Sequence, residues 1–234
     1  MRRVTLAGAE LTGFTVDQPG ASVRLLLPSP GTQELVIPRW QGNEFLLPDG
    51  ARPTLRTFTP RRVDPDRGEL DLDIVLHGHG IASAWAATAV PGDEAAISGP
   101  GRGYAIDIAA SKFVLAGDES AIPAIIQVID ALPPHATAAV LIEVAHPDAR
   151  ITVSERPGLT MSWHDLSVGA PPGDAVVRAF RAVGVEGETR IWVAGEAGAV
   201  QRIRRYCFEE LGLSRRHSTI RGYWKHGRDG DTDA

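Results

Sequence analysis

Hydrophobic and polar positions change their rhythm once along this chain. Up to about Pro100 the apolar residues come in short runs of strand character. Val23-Arg24-Leu25-Leu26-Leu27 is one such run. Leu70-Asp71-Leu72-Asp73-Ile74-Val75-Leu76 is another, and it alternates with the period of two that turns one face of a strand to a core. Turn-forming pieces separate the runs: Pro28-Ser29-Pro30-Gly31, Pro48-Asp49-Gly50 and Asp64-Pro65-Asp66-Arg67-Gly68. The last of these is expected to close a hairpin between the strand holding Thr57 and the strand starting at Leu70, its acids acting as turn formers. Ala82 to Ala87 predicts one short helix, after which Pro91-Gly92-Asp93-Glu94 turns the chain into a further strand. Short strands in this order predict a small antiparallel barrel.

After Gly99-Pro100-Gly101 strands and helices alternate. Phe113 to Gly117 is a compact buried strand, and Ile122, Ile125, Ile126, Ile129 and Leu132 recur at helical spacings of three and four until Pro133-Pro134. Acidic Asp118 and Glu119 suit the start of that helix. Ala138 to Val144 is the next strand, Val176, Val177, Phe180 and Val183 outline a second helix, and Arg190 to Gly195 a third strand. Ala197, Val200, Ile203, Tyr206 or Cys207, and Leu211 describe a third helix ending at Gly212. Such alternation predicts a parallel sheet covered by helices. The expected fold class is therefore a two-domain β plus α/β chain. Residues 1–105 form a six-stranded-type antiparallel barrel and residues 106–234 a parallel α/β domain.

Composition narrows the picture. The formal net charge of -5 argues against broad nucleic-acid binding. The C-terminal stretch departs from that average, with Arg202, Arg204, Arg205, Arg215, Arg216, Arg221, Lys225 and Arg228 facing only Glu209 and Glu210. A local basic surface on an acidic protein points to a discrete anionic partner. The single cysteine, Cys207, excludes a disulfide framework or a Cys-rich metal site, and its helical setting marks it as a packing residue. His77 and His79 form a His-x-His pair without a third convergent ligand, so no metal site is expected. No apolar run reaches the roughly 20 residues of a membrane span, and no apolar stretch follows the basic N-terminus. The expectation is a cytoplasmic monomer.

Ligands of open α/β sheets bind where strands end and helices begin. Two such places are visible, Gly117-Asp118-Glu119-Ser120 and Gly195-Glu196-Ala197-Gly198, although neither is a dinucleotide fingerprint and no Walker A sequence occurs. Upstream lies Arg56-Thr57-Phe58-Thr59-Pro60-Arg61. An arginine offers phosphate a permanently charged, bidentate partner, and an aromatic two positions along a strand faces the same side. Arg56 and Phe58 can therefore serve one ligand.

These segments resemble a known family. Arg56 to Arg61 is similar to the Arg-x-Tyr-Thr-x-Arg flavin motif of the siderophore-interacting proteins, a branch of the ferredoxin-reductase-like flavoenzymes. His77-Gly78-His79-Gly80-Ile81-Ala82-Ser83-Ala84-Trp85-Ala86 resembles that family's His-Gly-x-x-Gly-Pro-Ala-Ser-x-Trp-Ala, and Ala116 to Ala124 its Ala-Gly-Asp-Glu-Thr-Ala-Leu-Pro-Ala. Val193-Ala194-Gly195-Glu196 and Gly222-Tyr223-Trp224-Lys225 match its last strand turn and its C-terminal signature. The matches come in order over nearly the whole chain. Three features depart from the family: Phe58 stands for a tyrosine, Ile81 for a proline, and Met1 falls inside the first barrel hairpin, which is expected to leave a sheet edge open.

The resemblance implies a flavin-binding barrel and a nucleotide-binding α/β domain. It implies FAD held by Arg56, Phe58, Thr59, Arg61, His77, Ala82, Ser83 and Trp85, with Phe58 stacking on the ring and Thr59 hydrogen-bonding its reactive edge as the catalytic residue. NADH or NADPH would meet Gly117, Asp118, Glu119, Ser120, Gly195 and Glu196, and Glu143 at a strand end would favour NADH by repelling a 2'-phosphate. Reduced ferredoxin is the alternative donor. Lys225, Arg221 and Arg228 would attract an anionic ferric siderophore, and Tyr223 and Trp224 either flank that site or pack the tail onto the barrel. The implied reaction is reduction of the ferric chelate to release Fe(II). A general NAD(P)H:flavin or electron-transfer reductase, and a siderophore-binding protein of weak redox activity, are the alternatives.

Overall fold

The computed structural model describes residues 1–78, 80–153 and 155–227, so His79 and Arg228 lie outside the described residues. The chain divides into two compact units, one spanning Met1–Gly103 and the other Tyr104–Gly227.

The first unit is antiparallel. Its strands are β1 (Arg2–Ala7), β2 (Val23–Leu27), β3 (Arg39–Trp40), β4 (Phe45–Leu46), β5 (Thr54–Phe58), β6 (Pro60–Asp64), β7 (Glu69–Ile74) and β8 (Ala96–Ser98), with one helix, α1 (Ile81–Thr88). Six of them form two three-stranded sheets, ordered β1-β7-β6 and β5-β2-β8, while β3 and β4 make a separate hairpin. The period-two pattern of Leu70, Leu72 and Ile74 buries these three residues on one face of β7. They join Val23, Leu25 and Leu27 of β2, and Ala82 and Ala86 of α1, in one core. Arg2 fastens α1 from across the core, donating to the carbonyls of Ala87 and Ala89 at the helix C-terminus.

The strand holding Thr57 differs from expectation. The Asp64–Gly68 turn closes a hairpin between β6 and β7, whereas β5 pairs with β2 in the other sheet. The chain passes from one sheet to the other at Thr59, so a continuous apolar-polar pattern hides a break.

The second unit is a parallel sheet, β11-β10-β9-β12-β13, built from β9 (Lys112–Gly117), β10 (Thr137–Val144), β11 (Leu159–Asp165), β12 (Arg190–Glu196) and β13 (Ser218–Trp224). Helix α2 (Ile122–Ala131) covers one face, while α3 (Asp174–Val183) and α4 (Ala197–Arg205) cover the other. Both faces are buried, as a parallel sheet requires. Phe113, Leu115, Val140 and Ile142 point toward α2; Val114, Ala116, Leu141 and Val193 point toward α3 and α4. Strand order reverses at β9, which sits between β10 and β12, and such a reversal is where open α/β sheets bind ligands.

The third predicted helix is shorter than its periodicity. It is regular to Arg205, and a π turn over Tyr206–Glu210 completes it. Cys207 lies fully buried on that turn, where desolvation pushes its thiol up to about 11. Strands β11 and β13 of this unit, like β1, β3 and β4 of the first, lie outside the strands expected from the sequence. Among the described residues no helix is long and apolar enough to cross a membrane.

Candidate functional site

In the first unit the candidate residues gather around the β5–β6 junction and the start of α1. Arg56 and Phe58 share a face of β5 and are half-buried, whereas Thr57 between them is exposed. Partial burial lowers the pKa of the Arg56 guanidinium, and one of its nitrogens donates to the Leu55 carbonyl at 2.8 Å. Phe58 packs against the core of this unit together with Ile81 and Trp85 of α1. Thr59, at the sheet-to-sheet crossing, is buried with 7% of its surface exposed. Arg61 is half-buried on β6.

The loop from β7 to α1 is short and self-braced. The His77 amide donates to the hydroxyl of Ser83 at 3.1 Å, which folds the loop back over the first turn of α1. Ala82 and Ser83 are buried there, while His77 itself is exposed. The N-cap is Gly80, which has no side chain of its own, and the first turn of α1 carries no acidic residue. The amides of that turn have no intrahelical acceptor. An uncapped amino end favours an anion through both its free N–H groups and its dipole.

The helices of the second unit begin differently, because carboxylates of the chain occupy their amino ends. Glu143, at the end of β10, is 3% exposed and accepts from the amides of Gly173, Ala175 and Val176 at 2.6, 2.8 and 3.1 Å. It caps α3. An oxygen so held does not face a nucleotide ribose, which corrects the expectation that Glu143 discriminates against a 2'-phosphate. Glu196 caps α4 through the Ala199 amide at 2.8 Å, and its other oxygen accepts from the His226 amide at 3.2 Å.

Asp118 is the hub of this end of the sheet. One oxygen accepts from the amide and hydroxyl of Ser120, at 2.9 and 2.5 Å, and the other from the Glu196 amide and the Trp224 indole, both at 2.8 Å. Burial pushes its carboxyl up from the ordinary value, against the pull of these hydrogen bonds. Three of the four partners can only donate, so the geometry is built for the ionised form. Glu119 turns the other way and accepts from the Ala145 amide at 2.7 Å.

The two glycines of these turns answer to close packing. A Cβ on Gly117 would lie 2.5 Å from the Ala194 carbonyl oxygen, and one on Gly195 would lie 2.5 Å from Oδ2 of Asp118. Gly195 also has φ +144. The structure thus brings Gly117, Asp118, Gly195 and Glu196 together around one small cavity, with Ser120 hydrogen-bonded to Asp118 beside it. Glu119 is held apart, on Ala145.

The basic C-terminal residues belong to this unit. Arg221 is half-buried on β13, and Lys225 follows the strand with its side chain exposed. The Trp224 indole donates to Asp118 within the α/β unit at 2.8 Å. Sequence alone gives Trp224 as an aromatic that either flanks the site or packs the tail onto the barrel, and it holds no sign of the indole's bond to Asp118 or of the capping role of Glu143. Gly222-Tyr223-Trp224 marks the aromatic but not its partner. For Glu143, an acid ending a buried strand carried no mark of its distant amide partners.

Residues 1–104 match the family model described as the siderophore-interacting FAD-binding domain, and residues 110–227 the model described as siderophore-interacting protein. An uncharacterized protein of Mycobacterium tuberculosis is 41% identical over 78% of this chain and 69% of its own length. Ferric vibriobactin reductase of Vibrio cholerae is 28% identical over 97% of this chain and 84% of its own. Among solved structures, a siderophore utilization protein from T. fusca superposes with TM-score 0.84 at 34% identity, covering 97% of this chain and 87% of that one.

Proposed function

This chain belongs to the siderophore-interacting protein family and is a flavin oxidoreductase, and from that premise we propose that it is an FAD-dependent reductase of ferric siderophores. The observation that carries the cofactor reading is the contrast between helix starts. The amino ends of α3 and α4, and the turn leading into α2, are occupied by Glu143, Glu196 and Asp118. The N-cap of α1 is Gly80, which has no side chain to offer, and no acidic residue stands in its first turn. The residues present fit FAD on that ground: an open helix terminus for a pyrophosphate, two arginines nearby in sequence order, and an aromatic on the arginine's own strand face.

In this reading Arg56 and Arg61 pair with the phosphates, and the amides of Ala82 and Ser83 receive them at the start of α1. Phe58 gives the ring a flat apolar partner, Trp85 supports α1 from the core side, and Thr59 offers its hydroxyl to the reactive edge. His77 closes the loop through Ser83. FAD, when bound, supplies the exchange between a two-electron donor and a one-electron acceptor. NADH, NADPH or reduced ferredoxin is the donor, and a nicotinamide nucleotide would approach the Gly117–Ser120 and Gly195–Glu196 turns. Lys225 and Arg221 draw in the anionic ferric chelate. Reduction to Fe(II) weakens the hold of hard oxygen ligands and releases the metal, so no nucleophile is required.

The test separates cofactor from substrate. Purified protein is expected to be yellow, to release FAD on denaturation, and to yield Fe(II) to a ferrous trap under anaerobic conditions with a ferric chelate and donor. Phe58→Ala and Arg56→Ala are each expected to weaken FAD binding roughly tenfold to a hundredfold, read by flavin fluorescence. Colourless protein that cannot be reconstituted would remove the flavin reading. Reduction of ferricyanide without any ferric chelate would leave only a general reductase.

A further inference from the structure

Two buried carboxylates grip the chain on either side of one exposed cation. Asp118 holds Trp224 by its indole at 2.8 Å, and Glu196 holds the backbone amide of residue 226 at 3.2 Å. Lys225 is the residue between them. Both carboxylates belong to well-ordered turns. Asp118 is locked by Ser120 and Glu196, and Glu196 by Ala199. The register of β13 serves the same end. Gly195 pairs with Gly222 and Glu196 with Trp224, so Tyr223 is an extra residue and the strand bulges. Such a bulge re-aims the side chain that follows it. Here that side chain is Trp224, whose indole reaches Asp118 two strands away in the sheet.

A lysine side chain has four rotatable bonds and a point charge, so its affinity for an anion depends on how firmly its backbone is placed. A loose C-terminal segment would spread the ammonium over many positions. We propose that Asp118 and Glu196 are positioning residues for Lys225, clamping it through Trp224 and His226 so that its ammonium is held at the rim of the carboxyl end of the sheet for an anionic chelate. This gives the side chains of the two acids a role toward the substrate cation, while the turns that carry them stay open to a nucleotide. It rests on the reading of Lys225 as a substrate-binding residue, and its test is arranged so that the two can fail separately.

The probe is tris(catecholato)gallate(III), a trianion that mimics a ferric tris-catecholate and cannot be reduced, titrated calorimetrically into the FAD-loaded protein. Lys225→Ala establishes whether the cation matters. Trp224→Phe keeps the ring and deletes the one N–H that Asp118 grips, and Glu196→Gln disturbs the other side. With Lys225 present, each is expected to raise Kd roughly threefold to tenfold, the effect of one hydrogen bond of ordinary net strength. In the Lys225→Ala background the same changes are expected to have no further effect, because a clamp acts only through what it holds. Equal losses in both backgrounds, or none with Lys225 present, would overturn the clamp while leaving Lys225 as a substrate residue. No change on Lys225→Ala alone would overturn both.

Discussion

Glu143 shows how a single residue can look functional and be structural. Its carboxylate is buried against three backbone amides at the start of α3, 30 or more residues away in sequence. Glu143→Ala leaves those donors without an acceptor and is expected to cost about 2 to 4 kcal/mol in chemical denaturation. The ratio of NADH to NADPH turnover is expected to stay as in the wild type. A shift of that ratio toward NADPH would restore the residue to the nucleotide site. The residues proposed for the flavin stand out in the sequence because arginine, an aromatic and threonine announce their chemistry at fixed spacing. The commitments of Asp118, Glu196 and Glu143 were not, because their partners are mostly backbone amides that every residue carries. Only the fold says which amide comes near.

At the scale of elements, the turn after β12 depends on the absence of a side chain. Gly195 stands at φ +144 with the Asp118 carboxylate where its Cβ would be. Gly195→Ala is therefore expected to destabilise the second unit by about 2 to 4 kcal/mol, through backbone strain and displacement of Asp118. It should also change the environment of Trp224, read as a shift in tryptophan emission. Loss of stability with unaltered emission would mean that Asp118 and Trp224 tolerate the displacement. Helices were legible as periodicity, and α2 follows the spacing of its isoleucines closely. Strand β11 was equally legible, since Leu159, Met161 and Trp163 alternate with Thr160, Ser162 and His164, and it was simply passed over. Strand β13 was masked by its charge. Arg221 and the basic residues before it read as a tail, yet Ile220 is buried against α3 and α4. The break at Thr59 had no signal at all, because two consecutive extended segments look alike whichever sheet each joins.

For the whole molecule the question is which charge an incoming anion feels. The chain carries -5 overall, and that field repels a trianionic chelate. Several cations of the C-terminal stretch are engaged locally: Arg202 is neutralised by Asp174, while Arg204 is held on the Ile220 carbonyl and Arg215 over the Phe208 ring with their charges intact. Glu210 is in turn held by Arg181. Lys225 makes no ion pair among the described residues and remains exposed. The sign of the salt effect separates the two fields. At about 0.01 M ionic strength charges are felt over roughly 30 Å, and at 0.1 M over about 10 Å. If net charge governs encounter, added salt relieves repulsion and kcat/KM for a ferric tris-catecholate rises. If the local cation governs it, kcat/KM falls, and the expected fall is roughly threefold to tenfold across that range. A neutral ferric hydroxamate is expected to show little change, and Lys225→Ala to flatten the dependence for the trianion. A rate that rises with salt in the wild type would place recognition of the chelate elsewhere on the protein, because an attraction that acts through charge has to weaken when charge is screened.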